Sequence, residues 1–150
     1  MDRTWALTLI VAAVAAAWIG GSLAAIDSSD QYGALEQPGW APPGWLFGPV
    51  WTGLYIAIAA AGFLIWRASG WGTDARIWAV QLGVNGLWTP LFFALEWRLV
   101  ALGWILALNG LVAWLVVRQW PRWPARLLLP YLAWIGFATA LDASVWWLNR

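Results

Sequence analysis

The sequence predicts an all-α membrane protein, a bundle of five transmembrane helices. Three observations carry this prediction. The composition is 63% hydrophobic and only 10% charged, against the roughly 25% charge of a soluble domain. Seventeen of the 150 residues are tryptophan, a residue suited to the interfacial belts of a membrane protein or to the wall of an apolar pocket. The chain also divides into five runs long enough to cross a bilayer, which takes about 20 mostly apolar residues.

The first run, residues 4–26, carries no charge. Arg3 in front of it and Ser22-Leu23-Ala24 near its end resemble a signal peptide and its cleavage site. Its apolar stretch is about twice the length of a typical signal core, and Asp2 offsets Arg3, so it is read as a retained span. Residues 45–66 form the second span, 77–95 the third and 99–117 the fourth. Residues 127–148 form the fifth, interrupted only by Asp142. Together they make one membrane domain over residues 1–150, in contact with the lipid bilayer.

The connections are short except the first, residues 27–44. It is rich in Pro and Gly and holds Tyr32, Leu35, Trp40 and Trp45 near its end. Two readings stand: an interfacial anchor, or a lid over the bundle mouth. Arginine placement sets the orientation. Arg3, Arg67, Arg76, Arg118, Arg122 and Arg126 fall on one side, Arg98 and Arg150 on the other. The expected topology has the N-terminus in the cytoplasm and the first loop outside a bacterial cell membrane.

Composition also excludes. A net charge of +1 with scattered arginines argues against nucleic acid, which calls for a concentrated basic face. The chain has no cysteine and no histidine, so disulfides, thiolate metal sites and the commonest general base are missing. Seven dispersed acids suggest no metal cage. No metal and no resident cofactor is expected.

Local physics then picks out candidate residues. Pro42-Pro43 gives an extended lead into the second span, and Pro49 is expected to bend or loosen the helix start. Trp51 and Tyr55 are four apart and share a face. Gln81, Asn85 and Trp88 follow an i, i+4, i+7 stripe in the third span, with Phe92 one turn further on. Polar amides in a membrane helix are costly unless they face protein or a cavity, so they either bond to neighbouring helices or line a pocket. Trp134, Ala138 and Asp142 share a stripe in the fifth span, where the small Ala138 leaves room for a helix or a ligand. An intramembrane acid is a functional candidate by default. Asp142 is either satisfied by indole N–H groups and backbone, or shapes what a pocket accepts, disfavouring carboxylates and favouring cationic or hydrogen-donating ligands. Ala79, Gly83 and Gly86 are small residues at helix-contact spacing, serving either packing within the bundle or a dimer.

Residues 40–55 read Trp-Ala-Pro-Pro-Gly-Trp-Leu-Phe-Gly-Pro-Val-Trp-Thr-Gly-Leu-Tyr. This resembles the signature W-x-P-P-x-W-x-F-x-P-V-W-x-x-L-Y of the TspO/MBR family, the tryptophan-rich sensory proteins and translocator proteins. Residues 81–93, Gln-Leu-Gly-Val-Asn-Gly-Leu-Trp-Thr-Pro-Leu-Phe-Phe, are similar to its Q-L-x-x-N-x-x-W-x-P-x-F-F block. Pro130-Tyr131 with Trp134, Phe137-Ala138-Thr139 and Leu141 resembles its last block. The resemblance covers the whole chain.

The resemblance implies a five-helix bundle whose pocket opens under the first loop and takes protoporphyrin-type tetrapyrroles and other flat hydrophobic molecules. It implies Trp40, Trp45, Phe47, Trp51, Tyr55, Gln81, Asn85, Trp88, Phe92, Trp134, Ala138 and Asp142 as ligand-binding residues, and a homodimer through the third span. It also implies a sensory role in tetrapyrrole metabolism or stress. One alternative is light- and oxygen-dependent porphyrin breakdown, with Trp51 and Trp134 as the catalytic pair. Others are transport of hydrophobic molecules and a scaffold role, although paired inverted repeats common in secondary transporters are not evident. The chain departs from the family pattern where Gln37 replaces a basic residue before the signature, losing an ionic hold on a ligand carboxylate. It departs again at Ala143 and Trp147, where a cholesterol-type motif would need Tyr and a basic residue.

Overall fold

A computed structural model describes residues 2–24 and 28–150. The predicted end of the first span at Ile26 and the start of the first loop at Asp27 lie outside them. The described residues form α1 (Arg3–Ala24), α2 (Ser28–Ala34), a 3-10 turn (Gly44–Leu46), α3 (Phe47–Ser69), α4 (Thr73–Thr89), a π-helical turn (Pro90–Ala94), α5 (Arg98–Gln119) and α6 (Trp123–Leu148). Five helices are long and apolar enough to cross a membrane. They are α1, α3 with its 3-10 turn, α4 with its π turn, α5 and α6, matching the five expected spans.

The boundaries differ from expectation in ways with local causes. The first connection is not all loop, since α2 forms with Asp30 in its first turn, where an acid meets the positive end of the helix. Helix α3 runs to Ser69, three residues beyond the expected end, and stops where Gly70 takes φ 61° and its N–H caps the Trp66 carbonyl at 2.6 Å. Helix α4 begins at Thr73, four residues early, because Asp74 is held by Arg118 and by Gln119 at 2.6 Å. Helix α6 begins at Trp123 rather than 127, with Pro124 in its first turn, where a missing N–H costs nothing. The extended φ of −65° and ψ of 147° at Pro43 agree with the expected lead into the second span. Pro49 does not loosen α3, since it falls in the first turn, whose N–H groups have no intrahelical partner. The irregularity lies upstream, as the 3-10 turn.

The spans close into a ring in the order α1, α3, α6, α5, α4. Lipid tails are as apolar as leucine, so helices associate by close packing rather than by hydrophobic exclusion. Small residues make that approach possible: Ala6, Ala61, Ala75, Ala101 and Ala125 are all fully buried. Large apolar side chains such as Ile56, Leu106 and Val117 point outward, as a surface solvated by lipid requires.

The two ends of the ring differ. At the end holding the α3–α4 and α5–α6 turns, the Trp78 indole fills the interior. It lies against Gly62 and donates to the Ile58 carbonyl at 3.0 Å. At the other end the helices stay apart and enclose a cavity. Both Arg98 and Arg150 belong to the cavity end, and the other six arginines to the plugged end.

Candidate functional site

The cavity is built from faces of all five spans and from Tyr32 of the short helix α2. On α3 the stripe is Phe47, Gly48, Trp51 and Tyr55, preceded by Gly44. On α4 and its π turn it is Asn85, Trp88, Thr89, Phe92 and Phe93; on α6 it is Trp134, Ile135, Ala138, Leu141, Asp142 and Val145. The i, i+3, i+4, i+7 spacing within each is the signature of one helix face. Trp18, Gly21 and Ser22 contribute from α1, and Ile105 and Leu108 from α5. The enclosed volume is about 260 Å³.

A polar network forms the floor. Tyr55 donates its hydroxyl to Asn85 Oδ1 at 2.7 Å, and Asn85 Nδ2 donates to the Tyr131 hydroxyl at 2.6 Å. Tyr131 in turn donates to Gln81 Oε1 at 2.9 Å. Three helices are thereby tied together at the depth where the cavity ends.

Aromatic rings make the walls. Trp51 tilts over Tyr55 at 5.5 Å and meets Tyr131 edge-on at 6.3 Å. Trp134 meets Phe47 edge-on at 5.7 Å, and its buried indole N–H has no partner among the described residues. Trp88 stacks on Phe92 at 5.2 Å, and Phe92 meets Phe93 at 4.8 Å. The π turn starts at Pro90, which has no N–H to give, and closes through Leu95 N–H to the Pro90 carbonyl at 2.9 Å. Wide turns of this kind recur at functional sites, and this one carries Phe92 and Phe93 onto the cavity. Opposite them, Asp142 is 3% exposed. Its Oδ2 accepts the Trp88 indole N–H at 3.3 Å, while Oδ1 has no partner among the described residues.

The mouth is covered by the first connection. Tyr32 packs edge-on against Phe47 at 5.5 Å and donates to the Pro42 carbonyl at 3.3 Å. Burial pushes its phenol above the ordinary value, so it stays a donor. Gln37, where the family pattern has a basic residue, donates its amide to the Tyr32 carbonyl. It therefore fastens the segment to itself rather than reaching the cavity.

Nine of the residues singled out in the sequence line this one cavity: Phe47, Trp51, Tyr55, Asn85, Trp88, Phe92, Trp134, Ala138 and Asp142. Three do not. Gln81 lies on the Asn85 stripe but one turn deeper, fully buried behind Tyr131, so of the two amides only Asn85 meets the cavity. Trp45 is 71% exposed, because it sits off the stripe formed by positions 44, 47, 48 and 51. Trp40 is half-exposed and meets Phe137 edge-on at 5.7 Å outside the cavity. Both indoles belong to the rim, as interfacial tryptophans do. Sequence reasoning missed Trp18, Gly21 and Ser22 as lining residues, although their i, i+3, i+4 spacing at the end of the first span was a usable signal. Tyr131 was also missed as the hub of the floor.

An all-helical, five-span integral membrane protein with an aromatic cavity at one end is the class defined by these features. The chain belongs to the TspO/MBR family, which matches residues 8–148. It is 40% identical over 144 residues to the tryptophan-rich protein TspO of Archaeoglobus fulgidus, covering 93% of this chain and 94% of that one. It is 38% identical over 125 residues to the translocator protein of Homo sapiens, covering 77% and 72%. It is 34% identical over 157 residues to the tryptophan-rich sensory protein of Cereibacter sphaeroides, covering 99% and 95%.

Proposed function

We propose that this protein is a membrane receptor that senses tetrapyrroles of the protoporphyrin type, or similar flat hydrophobic molecules, in the cavity beneath the first connection. The observation that carries the reading is the wall of stacked and edge-on rings, Trp51, Trp88, Phe92 and Trp134, above a polar floor. Flat apolar ligands stack on such walls. The relatives named sensory and translocator proteins support a sensing role, in tetrapyrrole metabolism or stress response. At about 260 Å³ the cavity lies just below the usual range for small-molecule sites, about 300–1,000 Å³. A full macrocycle therefore enters by displacing the segment around Tyr32, or leaves its propionates at the mouth.

The reading extends to placement and assembly. The six-arginine end faces the cytoplasm and the cavity opens outside a bacterial cell membrane, by the positive-inside rule. A homodimer forms through α4, whose Ala79 and Gly83 are exposed. Gly86 is occupied differently, since a Cβ there would meet Ala17 of α1 at 3.7 Å.

The test is a titration of the purified protein with protoporphyrin in the dark, followed by quenching of tryptophan fluorescence. Saturable quenching weakened by Trp51→Ala and by Asn85→Ala supports the reading, and quenching that never saturates overturns it. A second reading, photo-oxidative breakdown of the porphyrin, draws on the placement of Trp51 and Trp134 on one cavity. An indole there would donate an electron to the excited macrocycle, with dioxygen as the terminal oxidant. Illumination of the saturated complex in air tests it: loss of the porphyrin spectrum must stop in Trp51→Phe or Trp134→Phe while dark binding persists.

A further inference from the structure

The cavity contains one acidic side chain whose hydrogen bonding is incomplete. Asp142 is almost fully buried within the span of α6. One carboxylate oxygen takes the Trp88 N–H at 3.3 Å, a long contact for an N–H donor to a carboxylate. The other oxygen has no partner among the described residues. Among the described residues no cation lies within salt-bridge distance of it. Arg98 pairs with Glu96 at 3.8 Å and lies over the Phe92 ring instead. A buried acceptor left without a donor is costly, and an acid in the membrane is retained for a purpose more often than by neglect. Its α6 neighbours on the cavity wall, Leu141 and Val145, are aliphatic, and the buried Arg98 Nε, also without a partner among the described residues, does not bond to it.

We infer that Asp142 is the specificity-determining residue of the cavity: its free oxygen receives an N–H or ammonium donor on the edge of a flat aromatic ligand and turns away ligands that present an oxygen or a carboxylate there. The inference rests on the cavity being the ligand site. Geometry makes the selection directional. The Trp88 bond occupies Oδ2, and Trp88 is itself stacked on Phe92, so Oδ1 is the acceptor left for a ligand on this wall. Ligands equal in outline and area but different at that edge are then separated by one charge-assisted hydrogen bond. A site built to bond a donor discriminates strongly against the analogue lacking it, because its own polar group is left unpaired.

Carbazole and dibenzofuran make the test. They share one flat three-ring outline and differ by an N–H against a ring oxygen. Binding of each to the protein in lipid nanodiscs is measured by equilibrium dialysis, with empty nanodiscs subtracted. Wild type is expected to prefer carbazole by about tenfold or more. Asp142→Leu brings the two within about twofold of each other, by weakening carbazole. Asp142→Asn keeps an acceptor oxygen without the charge and retains an intermediate preference, and it stands in if the leucine variant does not fold. Equal affinities in wild type overturn the inference, as does a preference that survives both substitutions unchanged. If both probes bind equally and both are weakened by Trp51→Ala, the cavity remains the ligand site and only the role of Asp142 fails. If neither probe binds saturably, the inference falls, and the protoporphyrin titration decides whether the cavity reading falls with it.

Discussion

Asn149 grips the main chain of Glu36 at both of its peptide groups. The Asn149 Oδ1 accepts the Glu36 N–H at 3.0 Å, and Nδ2 donates to the Glu36 carbonyl at 2.9 Å. One amide at the end of α6 thus pins the segment covering the cavity, 113 positions away in sequence. Each bond contributes on the order of 1 kcal/mol. Asn149→Ala is expected to raise amide hydrogen exchange across residues 35–43 by about tenfold. Asn149→Asp, which sets a carboxylate oxygen against the Glu36 carbonyl, should raise it at least as much. The same exchange in wild type and Asn149→Ala would mean that Tyr32 and Gln37 hold the segment without help.

The floor network should be stiffer at its hub than at its end. Tyr131 both accepts from Asn85 and donates to Gln81, whereas Tyr55 only donates. Tyr131→Phe leaves two buried amides incomplete and Tyr55→Phe leaves one. The expected losses in stability are about 1–2 kcal/mol and about 0.5–1 kcal/mol, read as lowered melting temperatures in detergent. The reverse order would show that the network is not the main tie at this depth.

Gly62 is the position least able to take a side chain. A Cβ there would lie 2.3 Å from the Trp78 ring, and that ring is buried and tied to Ile58. Gly62→Ala must move the plug, at a cost of about 1–3 kcal/mol. Gly53→Ala is the control, since a Cβ there meets nothing within 4 Å and helix propensity favours alanine. Thermal melts should separate the pair, with Gly62→Ala destabilised and Gly53→Ala unchanged or improved.

The rim and the wall should respond differently to substitution. Ala138→Leu extends into the cavity from α6 and should weaken protoporphyrin binding by about tenfold, with the fold retained. Trp45→Ala, on the exposed rim, should leave that affinity within about twofold. Fluorescence titration distinguishes them. A large loss in Trp45→Ala would mean that the rim closes inward on the ligand.

Much of this molecule is legible in the sequence because the bilayer imposes a length on its helices. Runs of about 20 apolar residues can do little else, so the five spans and their order follow from counting. The boundaries were less legible, because polar residues such as Thr73 and Asp74 extend a helix once a partner, here Arg118 and Gln119, satisfies them. The stripe on α6 was legible from spacing alone, since a helix that crosses a membrane keeps its phase over many turns. The tryptophans of the signature were not. Trp40, Trp45 and Trp51 are equivalent as letters, but the 3-10 turn at Gly44–Leu46 sets the phase with which α3 meets the cavity, and only Trp51 falls on it.

By itself, then, the sequence determined which segments cross the membrane, which aromatic residues are available to them, and that Asp142 is an acid within a span. These are matters of composition and one-dimensional spacing. Only the tertiary structure decided depth and facing. Gln81 and Asn85 share one stripe, yet Tyr131, arriving from a helix 46 residues beyond Asn85, puts the floor between them. Among the described residues Asp142 has one oxygen bonded and one without a partner, because Trp88 approaches from a single side. Which side chain blocks, bonds or lines is fixed by how separate helices pack, and no local spacing in the chain encodes the distance between them.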